Sequence, residues 1–236
     1  MPLVQLRGGE VDGLVLHYLV EGRGPAVILV HGLGGFAESW RHNVGALADR
    51  ATVYSLDLPG FGRSAKPATR YRLAYFARAL HAFVEALGVP HVSLVGHSLG
   101  GAVAVTYALT HPARVERIAL LGALIPGFGY QMSWAYRLVT VAGVGEALSL
   151  LGGASVYKAA LARCFRRPAR GEIDFLVDYH YAERAGVPAR AAYLATLRHV
   201  RRDFLEHAEA YRRAMATLDL PLLLIHGRQD PVVPAT

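Results

Sequence analysis

The sequence predicts an α/β protein, a mostly parallel sheet covered by helices and interrupted by a helical insertion. Three observations predict it. Five short runs are largely apolar on both faces, segments with helical spacing separate them, and glycine-rich turns follow several of the runs. At 236 residues and 53% hydrophobic side chains, the chain can bury a sizeable core. One α/β domain with an insertion suits that length.

The elements follow in order. Leu3 to Leu6 and Leu14 to Val20 alternate in polarity around Gly8, Gly9 and Gly13, which predicts an opening antiparallel hairpin. The continuous runs are Ala26 to Val30, Val53 to Leu56, Val92 to Val95, Ile118 to Leu121 and Leu222 to Ile225. They are too short for helices and fit strands buried on both faces of a parallel sheet. Helical spacing lies between them, in Trp40, Val44 and Leu47, in Leu73 through Leu87, and in Val103 through Leu109. Alternation of this kind implies right-handed crossovers with helices on both faces. From Ile125 to about Asp203 there is no strand-like run. That stretch is rich in Ala, Leu, Arg and Tyr, with breaks at Gly152-Gly153, Pro168, Gly171, Gly186 and Pro188. It predicts a helical cap over residues 125–203, inserted into a core formed by 1–124 and 204–236. No internal repeat or low-complexity tract is present.

Composition narrows the class. The first residues, MPLVQLRGGEVDG, lack the apolar core and cleavage site of a signal peptide, so a cytoplasmic protein is expected. The single cysteine, Cys164, agrees with a reducing compartment and reads as a buried small hydrophobe. The 19 uncharged residues between Arg117 and Arg137 raise the membrane question, but Gly122, Pro126, Gly127 and Gly129 interrupt them. No integral membrane segment is expected. The formal charge of +7 comes almost entirely from arginines spread along the chain, with short clusters such as Arg166-Arg167 and Arg201-Arg202. With no nucleic-acid motif beside it, this charge reads as a solvated surface, and no nucleic-acid partner is expected.

Chemistry concentrates at two turns. Val92 to Val95 runs into GHSLGG, Gly96 to Gly101, where Gly96, Ser98 and Gly100 make G-x-S-x-G between a strand and a helix. A nucleophile elbow needs this context, a tight turn with no side chains at its crowded flanks that lifts the serine oxygen from the sheet edge. Ala26 to Val30 ends in HGLGG, His31 to Gly35. Glycines there let the backbone bring an N–H, that of Leu33, towards Ser98, to join that of Leu99 in a two-donor oxyanion hole. His31 reads as a structural histidine that pins this loop. Gly32 and His97 belong to the same motifs. DLPGFGRS, Asp57 to Ser64, reads as a glycine-rich loop without chemistry of its own. No motif implies a metal or nucleotide cofactor.

HGLGG, DLPGFGRS, GHSLGG and HGRQDPVVP, in this order and spacing, resemble the α/β-hydrolase fold superfamily, in its capped, serine-nucleophile, esterase- and lipase-like branch. The resemblance covers about Leu14 to Thr236. It implies a catalytic triad in the order Ser, acid, His, with Ser98 as nucleophile and Asp230, past Gly227, as the acid. Serine at position 98 argues against the haloalkane dehalogenase and epoxide hydrolase branches, which attack with a carboxylate. The resemblance also implies one more helix, a last strand, a loop with the catalytic histidine and a closing helix. These would lie beyond Thr236, so the expectation is an incomplete record, with the chain as written close to inactive. Without a last strand, Leu222 to Ile225 is expected to form an exposed apolar edge.

The insertion contributes Phe128, Tyr130, Met132, Trp134, Tyr136 and the run Val139 to Leu151. These residues suit a lining for an apolar acyl or alkyl group, and equally the cap's own core. Glycines 127, 129, 143 and 145 read as possible hinges. The expected activity is hydrolysis of a small-molecule apolar carboxylic ester through an acyl-enzyme. Two alternatives stay open: a carbon–carbon bond hydrolase with the same triad, and a non-catalytic scaffold. The oligomeric state is not legible in the sequence.

Overall fold

The computed structural model of the protein describes residues 2–128, 134–151, 153–184, 186–230 and 232–233, without the side chains of 134–136, 149, 151, 160, 183 and 184. Gly129, Tyr130, Met132, Gly152 and the side chains of Trp134 and Tyr136, named above, lie outside the described residues.

Seven strands form one sheet: β1 (Leu3–Gln5), β2 (Val15–Glu21), β3 (Ala26–Val30), β4 (Thr52–Leu56), β5 (Val92–His97), β6 (Val115–Leu121) and β7 (Leu222–Ile225). Their order is β1-β2-β4-β3-β5-β6-β7. β1 and β2 pair antiparallel, as do β2 and β4, and the other neighbours are parallel. The α/β class read from the sequence is borne out.

Alternate strand residues face opposite layers. Ile28, Val30 and Leu56 join the main core, with α2 (Leu73–Leu87) and α3 (Leu99–Thr110). Leu29 and Val53 point the other way, onto Trp40 and Val44, the latter in α1 (Arg41–Ala48). Helix α2 leaves no accessible surface on Leu73, Phe76, Leu80, Phe83 or Val84. At about 1.5–3 kcal/mol for each such side chain, this face is a main anchor of the domain. Gly88, at φ 66°, ends the helix in the left-handed conformation.

Between β6 and β7 the described elements are helices: α4 (Trp134–Val139), α5 (Val144–Leu151), α6 (Ala154–Ala162), α7 (Glu172–Arg184), α8 (Val187–Glu206) and α9 (Ala208–Met215). The division read after residue 203 falls inside α8. That helix is fastened to the core by buried Asp203, whose carboxylate accepts the Leu73 N–H at 2.8 Å and meets Arg72 at 3.0 Å. It thereby serves an N–H at the start of α2 that has no acceptor within the helix.

Two expectations are corrected. Cys164 is exposed, not buried, because it sits in the short connection after α6. The reading of burial on both faces fails for β7, whose four residues are 53–55% exposed; the other expectation for this run, an exposed apolar edge, is met. Phe128 is also exposed, and no described helix is long and apolar enough to cross a membrane.

Candidate functional site

The sheet topology locates the site before any side chain does. After β3 the chain passes to β4 on one side, and β5 then pairs with β3 on the other. A crevice opens outside the carboxyl ends of strands where the order reverses in this way. The loops that leave β3 and β5 there are HGLGG and GHSLGG.

Ser98 joins β5 to α3 at φ 51°, ψ −118°, and no other described non-glycine residue has positive φ. A serine does not adopt this conformation unless its surroundings enforce it. The enforcement comes from packing. A Cβ on Gly100 would lie 2.1 Å from the Val30 carbonyl oxygen, and one on Gly96 would lie 2.6 Å from that of Gly100. The Ser98 N–H donates to the Leu121 carbonyl at 3.2 Å, and its own carbonyl accepts the Leu124 N–H at 3.0 Å. β5, α3 and the end of β6 thus fix the turn from three sides.

The β3 loop lies against it. A Cβ on Gly32 would be 3.0 Å from Ser98 Cβ and from His97 Nδ1. The Gly35 N–H donates to the Gly32 carbonyl at 2.9 Å, closing a tight turn that carries Leu33. Leu99, at the first position of α3, is buried, and its N–H has no acceptor within the helix. Buried His31 holds the loop. Its Nε2 accepts the Leu58 N–H at 3.0 Å, so Nδ1 carries the proton and donates to the Gly32 carbonyl at 2.7 Å. Burial pushes this imidazole below its ordinary value, partly opposed by Asp57.

Asp230 follows β7. Its Oδ1 accepts the N–H groups of Val232 and Val233 at 2.8 and 2.9 Å. Its Oδ2 faces Gly122, the residue after β6, where a Cβ would lie 3.4 Å from Oδ2 and 4.0 Å from the His97 ring. The structure therefore brings Gly32, His97, Ser98, Gly122 and Asp230 to one edge of the sheet. It does not join the Ser98 hydroxyl to Asp230, and no described histidine hydrogen-bonds that hydroxyl. His97 is exposed as a residue, yet desolvation of its ring and then His31 push its pKa down, with Asp230 opposing. His226 Nε2 donates to the Val233 carbonyl at 2.6 Å and lies 3.7 Å from Asp230 Oδ2.

Two groups of residues escaped the sequence reading. Asp57, read as loop structure, is a fully buried hub. Its carboxylate accepts N–H groups of Ala37 at 2.6 Å and Arg63 at 2.9 Å and pairs with His17 at 2.8 Å. Gly62 packs against it, since a Cβ there would lie 2.2 Å from that carboxylate. The second group seats α7 on the β3 loop. Tyr179 stacks on Phe36 with ring centres 4.1 Å apart, His180 Nδ1 lies 3.0 Å from the Gly34 carbonyl, and Glu172 meets Arg41 at 2.5 Å and His42 at 3.0 Å.

A family model described as alpha/beta hydrolase fold matches residues 25–236. The chain belongs to the α/β-hydrolase fold family. This α/β-hydrolase is 30% identical over 231 residues to 2-hydroxy-6-oxo-6-(2'-aminophenyl)hexa-2,4-dienoic acid hydrolase of Metapseudomonas resinovorans, which covers 95% of this chain and 74% of that one. It is 35% identical over 150 residues to an uncharacterized protein of Mycobacterium tuberculosis, over 64% of this chain and 43% of that protein. The α/β-hydrolase described here thus spans less than half the length of that relative. Among solved structures it resembles Cfl2 of Burkholderia cenocepacia, with TM-score 0.81 and 28% identity over 93% of this chain and 78% of that one.

Proposed function

We propose that this α/β-hydrolase is a serine hydrolase that cleaves carboxylic esters of apolar acyl or alkyl groups through an acyl-enzyme. The observation that carries the proposal is Ser98, held at positive φ by glycine packing where the β3 and β5 loops meet. In this reading the Ser98 oxygen attacks the ester carbonyl as its proton leaves to a base. The N–H groups of Leu33 and Leu99 receive the oxyanion. The alcohol departs with a proton, and water then releases the acid. A hydroxyl at the elbow supports an acyl ester as the intermediate, where a carboxylate would give an anhydride or alkyl ester. Asp230 is the acid of the triad, and helices within 125–203 form the cap. The lone Cys164 fits a reducing cytoplasm.

No described histidine hydrogen-bonds the Ser98 hydroxyl. Both nitrogens of His31 are engaged, and His226 Nε2 is turned to a carbonyl. Loss of a triad histidine lowers turnover by about 10⁶, so the identity of the base decides how active the native product is. The second reading, a carbon–carbon bond hydrolase with the same serine, is supported by the likeness to a hydrolase of a dienoic acid.

The test is intact mass spectrometry of the native gene's product before and after exposure to a fluorophosphonate. One adduct, absent from Ser98→Ala, on a product heavier than 25.5 kDa supports the serine hydrolase. A product of 25.5 kDa with no adduct overturns it in favour of a non-catalytic scaffold. For a labelled product, turnover of aryl butyrates against vinylogous diketones separates the two hydrolase readings.

A further inference from the structure

We propose that the segment between Arg137 and Arg170 is a docking surface for an anionic lipid bilayer. Its exposed residues combine the two chemistries that such a surface recognises. Leu138, Val141, Val144, Leu148, Leu150 and Val156 are all exposed, Leu150 to 68% and Val156 to 64%. Apolar side chains are found singly on any surface, but here six are exposed across the three consecutive helices α4 to α6 and their connections. The same segment holds six basic residues and one acidic residue, and so carries a net +5 of the chain's +7.

Four of these basic residues form no ion pair among the described residues. The lone carboxylate, Glu146, is held by Arg198 from α8 through two contacts of 2.8 Å. Lys158 pairs with Asp174. Arg163, Arg166, Arg167 and Arg170, in the connection from α6 to α7, are exposed and form no ion pair among the described residues. The backbone between α4 and α5 is tied to α8. Arg198 donates to the carbonyls of Thr140 at 3.0 Å and Val141 at 3.3 Å, and Gly145 packs against Leu194 of α8. The segment thus exposes six apolar side chains and four arginines that form no ion pair among the described residues.

Charge complementarity chooses the occupant. Apolar groups that enter the acyl boundary and arginines that meet phosphate headgroups are the two contributions to interfacial binding. A nucleic acid would use the arginines but leave the apolar residues without a role. The inference goes beyond the ester-hydrolase reading, and its test reads binding alone, so either can fail without the other.

The experiment is co-sedimentation of the chain with vesicles of phosphatidylcholine, with and without an equal part of phosphatidylglycerol. Binding is expected only to the anionic vesicles and should weaken with added salt. Changing all four loop arginines to glutamine should weaken it by about tenfold or more. The pair Leu150→Ser and Val156→Ser should weaken vesicle binding while leaving any retention on a DNA duplex unchanged. Circular dichroism identifies any variant that does not fold, and because the two variants alter separate residues, the other still decides. No binding to anionic vesicles, equal binding to neutral ones, or a four-arginine variant that binds like the parent overturns the proposal. DNA binding as tight as vesicle binding, indifferent to the serine pair, overturns it in favour of a general polyanion surface.

Discussion

At Gly100 one methyl group is enough to test the elbow. Its Cβ would meet the Val30 carbonyl oxygen at 2.1 Å, so Gly100→Ala has to push α3 away from β3. Overpacking of this kind costs about 1–3 kcal/mol. Urea unfolding should show that loss, together with loss of fluorophosphonate labelling at Ser98. A variant as stable as the parent would mean that the turn is not held by packing. His31 sets a pH dependence. Its folded pKa lies below the unfolded value of 6.5, so between the two the unfolded chain binds more protons. Its contribution is complete above about pH 6.5 and is lost as pH falls towards the folded value. His31→Asn should lower stability near neutrality and give a flatter decline in acid. An unchanged slope would show that other groups carry the acid response. The role of His31 as a loop pin was legible in the sequence because it follows a strand and precedes glycines. The buried Asp57–His17 pair was not, because its members stand forty residues apart and only the fold brings them together.

Among the elements, α7 makes the most direct attachment to the site loop. Its side chains meet Phe36, Gly34, Arg41 and His42, all between β3 and α1 or at the start of α1. Exposed ion pairs contribute little, so the Tyr179–Phe36 stack should dominate. Tyr179→Ala is expected to speed amide exchange in α7 by about tenfold, the equivalent of an aromatic pair, while β3 and β5 keep their protection. Equal acceleration in the strands would show that α7 opens only with the whole domain. The strands and the helices α1 to α3 were legible because burial leaves a plain apolar rhythm. The individual helices of the insertion were not, because α7 and α8 mix charged and apolar residues on partly exposed faces. What fixes them is a partner far along the chain, such as Leu73 for Asp203.

For the molecule as a whole, β7 is where the local pattern and the global arrangement disagree. Leu-Leu-Leu-Ile reads as a strand covered on both sides, and the reading of a strand is right. Cover, however, depends on what the rest of the molecule lays over the sheet, and a run of four residues holds no information about that. In the structure β7 pairs with β6 on one side, its other edge pairs with no described strand, and all four side chains are about half exposed. An open apolar edge offers backbone donors and acceptors in register with a second such edge, and the adjacent leucines would be buried by the same contact. The chain should therefore self-associate through β7 as its concentration rises. Leu223→Lys with Ile225→Lys places two charges on one face of the strand. Because both residues are half exposed, the folded chain should lose only about 1 kcal/mol or less, whereas two like edges brought together would oppose four positive charges. Static light scattering should then show the onset of association moved to about tenfold higher concentration. An onset that does not move would place the contact elsewhere. The other large exposed apolar surface, α4 to α6, would be next, and the serine pair at Leu150 and Val156 would shift the onset instead.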